Sequence, residues 1–374
     1  MKELLIMAKS LGGGGSEVAL IEFINALSSE LYNITLVLLD KDEEYAYKLK
    51  KPINVIQIAF KNQVSQSMVS MYAFPAKALK KLSINKYVSY YDKILDCVTN
   101  EFNEVYDMAL DFYGYGSFTT AFVAKKIKAK KKATWIHDEN MYWLKSVNKY
   151  FLNYDAIFCV SEAVRNTFCR IYPEQSSKAT TFYNILDSED IKKKAQQKTE
   201  SLFDEKTFNI VTVGRLTAQK GYDIAIKTAK NLADRNVDFM WYIIGEGRDR
   251  RKLEMMSRKQ GLSNKVVFLG AKKNPYPYMK SANLYVQPSR HEGYGLTVAE
   301  ARILELPIVA SNIPPFKEQI INGINGYIVE LGDVALADEI EALYRNPEKM
   351  NVVVEYLKNN PLDFTADLKK LEKL

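Results

Sequence analysis

What most constrains this chain is a pattern used twice. Short apolar runs of strand length alternate with amphipathic stretches of helix length, stop at a polar segment, and start again. The first set of runs lies at residues 4–7, 34–39, 54–58, 108–111, 133–137 and 156–160, with helix candidates at 17–28, 117–128 and 162–171 between them. Such alternation predicts parallel sheets covered by helices. The stretch from Asp187 to Thr207 carries Lys192-Lys193-Lys194 and Gln196-Gln197 with almost no core residues, and reads as a linker with an exposed helix. Strand candidates then resume at 208–213, 239–244, 266–269, 284–287 and 308–310, with helices at 222–233, 249–260 and 296–304. The expected fold is α/β: two Rossmann-like domains with parallel sheets facing across a central cleft. The first domain is expected at 1–187, the linker at 188–206 and the second domain at 207–358.

Composition narrows the partners. A chain of 374 residues with 47% hydrophobic and 26% charged content can build two cores, which excludes disorder. No stretch approaches the ~18 to 20 apolar residues of a membrane span. The first apolar run is too short for a signal peptide, so a cytoplasmic chain is expected. Cys97, Cys159 and Cys169 form no CxxC pair, and His137 and His291 are the only histidines, so neither a disulfide scaffold nor a metal site is expected. The net charge of +7 comes from 52 Lys and Arg against 45 Asp and Glu. Lysine dominates that excess, a weak signal for nucleic acid, and no nucleic-acid partner is expected.

The dinucleotide fingerprint GxGxxG fails at both glycine-rich turns, and so does the Walker pattern. Phosphate chemistry of another kind remains. Gly12 to Gly15 follow the first strand and open a helix, which lets the backbone approach an anion, although a flexible turn would read the same way. Arg215 and Lys220 sit on a loop between a strand and a helix and together suit a diphosphate, although the loop arginine alone could equally make a salt bridge. The run from Pro288 to Ala301 places Glu292 on a turn and Glu300 about one turn inside a helix. Backbone N–H groups of Gly295, Leu296 and Thr297 are expected to face the cleft between these carboxylates. Either carboxylate could hold sugar or ribose hydroxyls; a solvent-facing Glu300 fits its apolar flanks poorly.

The Glu-x7-Glu spacing from Glu292 to Glu300 within EGYGLTVAEA resembles the signature of family-4 (group 1) glycosyltransferases of the GT-B fold. GGGGSE, WIHDE, VSEAV, FYNILD and VGRLTAQKG are collinear with that family over nearly the whole chain. The resemblance implies a retaining, metal-independent enzyme of bacterial polysaccharide biosynthesis. It would move a sugar from a nucleoside-diphosphate sugar, a UDP-sugar by preference, to a glycan or polyprenyl-linked acceptor. It implies that Arg215 and Lys220 grip the diphosphate, Glu300 the ribose and Glu292 the transferred sugar. Gly295, Leu296 and Thr297 would cap the phosphates and sugar, Gly14 and Gly15 would close over them, and His137 would lie near sugar and acceptor unless it is a hydrogen-bonded core histidine at the strand end. No cofactor is implied beyond the donor, and a C-terminal helix at 359–374 would cross back to the first domain. Other activities on the same fold, epimerase or phosphorylase, or an inactive partner subunit, are the alternatives. The chain departs from the family at Glu305 and at Ile313-Pro314-Pro315-Phe316, where glycines are usual; changes are expected there in helix exit and loop shape more than in donor contacts.

Two basic segments bear on the acceptor. Six lysines between Lys125 and Lys132 read as surface charge at a helix end, before the strand that stops at His137. Phe74, Ala78, Leu79 and Leu82 form an apolar stripe beside Lys77, Lys80 and Lys81. A helix from Phe74 to Lys86 would suit a peripheral contact with the inner face of the cell membrane, or equally a plain core-facing helix.

Overall fold

The computed structural model describes residues 1–12, 14–61, 91–115, 117–197, 203–204 and 206–374. Gly13 and the basic stripe at 74–86 lie outside the described residues. The chain forms two compact units, one from Met1–Leu186 with Thr365–Leu374 and the other from Asp187–Phe364.

The first unit is built on seven parallel strands: β1 Lys2–Ala8, β2 Tyr32–Leu38, β3 Asn54–Gln57, β4 Val105–Asp111, β5 Lys128–Ile136, β6 Ala156–Cys159 and β7 Ala179–Thr181. Their order is β3-β2-β1-β4-β5-β6-β7. Leu4, Leu5, Ile6 and Met7 are all fully buried, as expected of a central parallel strand covered on both faces. Hydroxyl caps start two of the helices. Ser117 Oγ accepts from Thr119 N ahead of Phe118–Lys126, and Ser161 Oγ accepts from Val164 N ahead of Glu162–Ile171.

The lysine run differs from expectation, because Lys128, Lys130, Lys131 and Lys132 lie inside β5 rather than before it. Neighbouring groups make that tolerable. Lys130 pairs with Asp107 at 2.7 Å, Lys131 with Asp155 at 3.4 Å, and Lys132 Nζ donates to Ala124 O at 2.9 Å. β7 was also missed: three residues at a sheet edge are too few to show a period.

The second unit has six parallel strands: β8 Phe208–Val213, β9 Phe239–Ile244, β10 Val266–Gly270, β11 Leu284–Gln287, β12 Ile308–Ser311 and β13 Tyr327–Val329. Their order is β10-β9-β8-β11-β12-β13, the doubly wound arrangement, with a short edge strand again missed from sequence. Ile210, Trp241 and Val286 form its core with Leu232, Leu336 and Ile340 of the covering helices. The Ser188–Ala195 helix is a packed part of this unit rather than an exposed piece of linker. Asp187 caps it by accepting from Asp190 N at 2.9 Å, Ile191 is buried, and its Lys194 carbonyl accepts from Asn274 Nδ2. In the first unit, the Leu368–Glu372 helix buries Leu371 and sends Lys370 Nζ to Thr181 O, while Asp367 accepts from Tyr183 N, both at 2.6 Å. Among the described residues no helix is long and apolar enough to cross a membrane.

Candidate functional site

In the second unit the strand order reverses between β8 and β11, so the loops leaving their carboxyl ends open where α/β sheets bind ligands. The β8 loop carries Arg215 and Lys220, and the β11 loop carries Glu292. Several contacts stitch the two loops together. Arg290 makes a two-pronged ion pair with Asp223, both N···O distances 2.7 Å, and donates to Ala218 O. That pairing holds the Asp223 carboxyl below its ordinary range. Arg290 N donates to Gln219 O at 2.8 Å, and Gln219 Nε2 donates to His291 O at 3.0 Å. Gly221 closes the β8 loop with φ of 69°, and a Cβ there would overlap the Pro288 carbonyl. Only glycine satisfies both the left-handed backbone and the close approach.

The stitched loops bring Lys220 onto Glu292. Lys220 Nζ lies 2.7 and 2.9 Å from the two carboxylate oxygens, with side chains only 15% and 7% exposed. Lys220 therefore rests on Glu292 rather than standing free for a diphosphate. Behind Glu292 runs a one-way series of donors. Ser289 Oγ donates to Glu292 Oε1 at 2.7 Å, and Gln287 Nε2 donates to Ser289 Oγ at 2.9 Å. Gln287 Oε1 accepts from Tyr285 OH at 2.5 Å and from Thr297 Oγ1 at 3.2 Å. Glu292 thus keeps a donor whenever Lys220 is engaged elsewhere. Arg215 is exposed on the same loop, and among the described residues its guanidinium has no ion pair or hydrogen bond.

Glu300 lies in the Leu296–Ile303 helix, 7% exposed, and accepts from Tyr276 OH at 3.1 Å, so it does not face solvent. Gly295 starts that helix with φ of 92°, and the Phe316 ring occupies the space a Cβ would need. The first N–H groups of the helix, at Leu296 and Thr297, have no partner within it. Gln319 Nε2 donates to Tyr294 O at 2.6 Å. The segment around Phe316 thus packs directly against the turn that runs from Glu292 to Gly295. Glu305 adopts φ of 59°, the left-handed position where the family has glycine. The helix exit is nonetheless of the Schellman type, with Glu305 N donating to Arg302 O and Leu306 N to Ala301 O. Lys192 holds the Glu305 carboxylate at 3.1 Å.

In the first unit, the loops after β1, β4 and β5 carry the remaining candidates. His137 follows β5 and is 9% exposed, with Nε2 2.6 Å from Phe112 O. The carbonyl can only accept, so Nε2 carries the proton and Nδ1 is the acceptor of a neutral ring. Burial lowers its pKa to about 4. Asp111, at the end of β4, anchors the neighbouring loop by accepting from Thr120, Thr134 and Gly114 N, while burial pushes its carboxyl up. Gly14 caps the Gly15–Ala26 helix, but the Glu17 carboxylate lies against it where a phosphate was expected. Gly15 has open space around it.

Lys220, Glu292 and Thr297 therefore share one network in the second unit, with Arg215, Glu300, Gly295 and Leu296 on the same loops and helix. His137, Gly14 and Gly15 belong to the first unit. Sequence reasoning missed Gln287 and Ser289; the signal was a glutamine ending an otherwise apolar strand and a serine two residues beyond it. It also missed Tyr276 and Arg290, whose roles depend on tertiary contacts. Among the described residues no group of three His, Cys, Asp or Glu side chains could hold a metal ion.

Residues 193–360 match the family described as glycosyl transferases group 1. An uncharacterised glycosyltransferase of Methanocaldococcus jannaschii is 29% identical over 209 residues, 54% of each chain. Another, from Haemophilus influenzae, is 24% identical over 93% of this chain and 92% of its own. The match spans about half the length of the first of these relatives. Among solved structures, Anabaena HepE in complex with UDP-glucose superimposes with a TM-score of 0.74 over 100% of both chains at 17% identity, which shows the fold. Residues 193–360 are thus similar to the group 1 glycosyl transferases, and the two parallel-sheet units share the GT-B fold of the solved structures.

Proposed function

We propose that this chain transfers a sugar from a nucleoside-diphosphate sugar, a UDP-sugar first, to a glycan or lipid-linked glycan acceptor, retaining the anomeric configuration and needing no metal ion. The observation that carries this reading is the Lys220–Glu292 pair at the strand-order reversal, on a loop whose Arg215 has no ion pair among the described residues, with Glu300 buried on the adjoining helix. The UDP-glucose held by the HepE structure supports the choice of donor.

In this mechanism the donor diphosphate attracts Lys220 away from Glu292, and Arg215 supplies a second cation from the open side of the loop. Together the two cations stabilise the charge that builds on the diphosphate as the sugar C1–oxygen bond breaks. The first-turn N–H groups of Leu296 and Thr297 add donors at the positive end of a helix. Glu292, still held by Ser289, accepts from the sugar hydroxyls, and Glu300 accepts from the ribose. The acceptor oxygen bonds to C1 on the face the diphosphate leaves, and its proton passes to a departing phosphate oxygen. His137 stays neutral and orients the acceptor rather than serving as a cation.

Thermal shift with UDP, GDP and ADP, followed by calorimetry with the best of them, tests the donor site. A diphosphate at 100 times its Kd stabilises by about 2.7 kcal/mol, a readily measured shift. Glu300→Gln and Lys220→Ala are expected to weaken that binding, and Lys220→Ala to reduce turnover by about 10² or more. No stabilisation by any nucleotide, or full turnover in Lys220→Ala, would overturn the reading.

A further inference from the structure

Beside His137 the first unit carries a continuous group of rings that the donor chemistry leaves unused. Tyr115 stacks on the His137 imidazole with centroids 5.6 Å apart and planes at 23°. Tyr113 lies 5.0 Å from Tyr115, Trp143 lies 6.2 Å from it, and Tyr142 is 4.5 Å from Trp143. These rings are not core. Tyr115 and Trp143 are half-buried, and Tyr142 is 40% exposed, whereas the neighbouring Trp135 is 1% exposed. Adjacent rings left at a surface mark a binding face more often than chance exposure does.

The surrounding chemistry selects the occupant. Asp138 and Glu139, both half-buried, lie on the short loop between His137 and Trp143, which puts two carboxylates on the loop that carries the rings; Asp138 Oδ1 also accepts from Asn140 N at 2.9 Å. The imidazole is neutral, with its Nε2 proton committed to Phe112 O. Carboxylates repel a phosphate and the neutral imidazole offers it no positive charge, whereas an uncharged sugar packs its C–H face on aromatic rings while its hydroxyls donate outward.

We propose that Tyr115, Tyr142 and Trp143 form a stacking platform for the pyranose at the reactive end of the acceptor, with Asp138 and Glu139 accepting from its hydroxyls. The proposal deepens the glycosyltransferase reading and rests on it. It makes the acceptor a sugar chain that already ends in a pyranose, not a bare lipid phosphate.

Trp143 reports on the platform, because Trp135 and Trp241 are buried at 1% and 0% exposure. The full chain is titrated with maltose, cellobiose, lactose and chitobiose while emission and acrylamide quenching are followed. At least one disaccharide is expected to shift the emission and lower quenching about twofold, and Tyr142→Ala, which keeps the tryptophan, to remove the effect. No response to any of the four overturns the platform. In transfer assays Trp143→Ala is expected to raise the acceptor KM about tenfold with UDP affinity within about twofold of wild type. An unchanged acceptor KM, or an equal loss of UDP affinity, also overturns it. Failure of UDP to bind the wild-type chain sinks the glycosyltransferase reading instead, and leaves the disaccharide titration to judge the platform alone.

Discussion

Burial holds the His137 imidazole near a pKa of about 4, while an unfolded histidine titrates near 6.5. Between those values the unfolded chain binds a proton that the folded chain refuses. Stability from this group is therefore complete above about pH 6.5 and is lost as pH falls through the window towards 4. By pH 5 the loss amounts to about 2 kcal/mol. Urea unfolding at pH 7.5 and pH 5 is expected to show wild type losing about that much more than His137→Asn. An equal loss in both would mean that another group sets the acid limit. At this scale the sequence was legible where charge and spacing coincide: Arg215, Lys220, Glu292 and Glu300 stood out. Gln287 and Ser289 did not, because a glutamine and a serine at a strand end are ordinary until Glu292 is seen receiving their donor series.

Loops and helix ends are where this chain departs from its own pattern, and their stability follows from backbone geometry. Gly221→Ala forces a Cβ onto the Pro288 carbonyl at a φ of 69°. Left-handed backbone alone costs a non-glycine residue about 1–2 kcal/mol, and the overlap adds to it. The variant is expected to lose more than about 2 kcal/mol in denaturant unfolding and to bind UDP more weakly, since the Lys220 loop moves off Glu292. Native stability with native UDP affinity would show that the two loops tolerate separation. Glu305 meets the same backbone demand without glycine and is held by Lys192, so its oddity in the sequence left the helix exit intact. Strand positions were read well from apolar runs. Where charge masked the run, as in the lysine-rich start of β5, or where only three residues pair, as in β7 and β13, the pattern held too little signal.

Across the whole molecule, two α/β sheets were evident from a pattern that stops and restarts. The unit to which the intervening helix belongs was not, because Ile191 is the one apolar anchor among its lysines and its contacts with Asn274 and Glu305 are distant in sequence. The last ten residues rejoin the first unit, with Lys370 on Thr181 and Asp367 on Tyr183. Removal of Thr365–Leu374 is expected to lower the melting temperature of the first unit by several degrees, about 1–2 kcal/mol, and to leave UDP affinity unchanged. A melting temperature that does not move would show the Leu368–Glu372 helix to be ornamental.

Topologically, the second unit is an insertion within the first, entered after Leu186 and left before Thr365. A cut between Leu186 and Asp187 would therefore not produce two self-sufficient halves. The downstream piece would carry a ten-residue hook that belongs to its neighbour, and the upstream piece an empty seat for it at Thr181 and Tyr183. Expressed together, the two pieces have a built-in means of reassembly, which makes that junction the natural place to split this chain into complementing fragments.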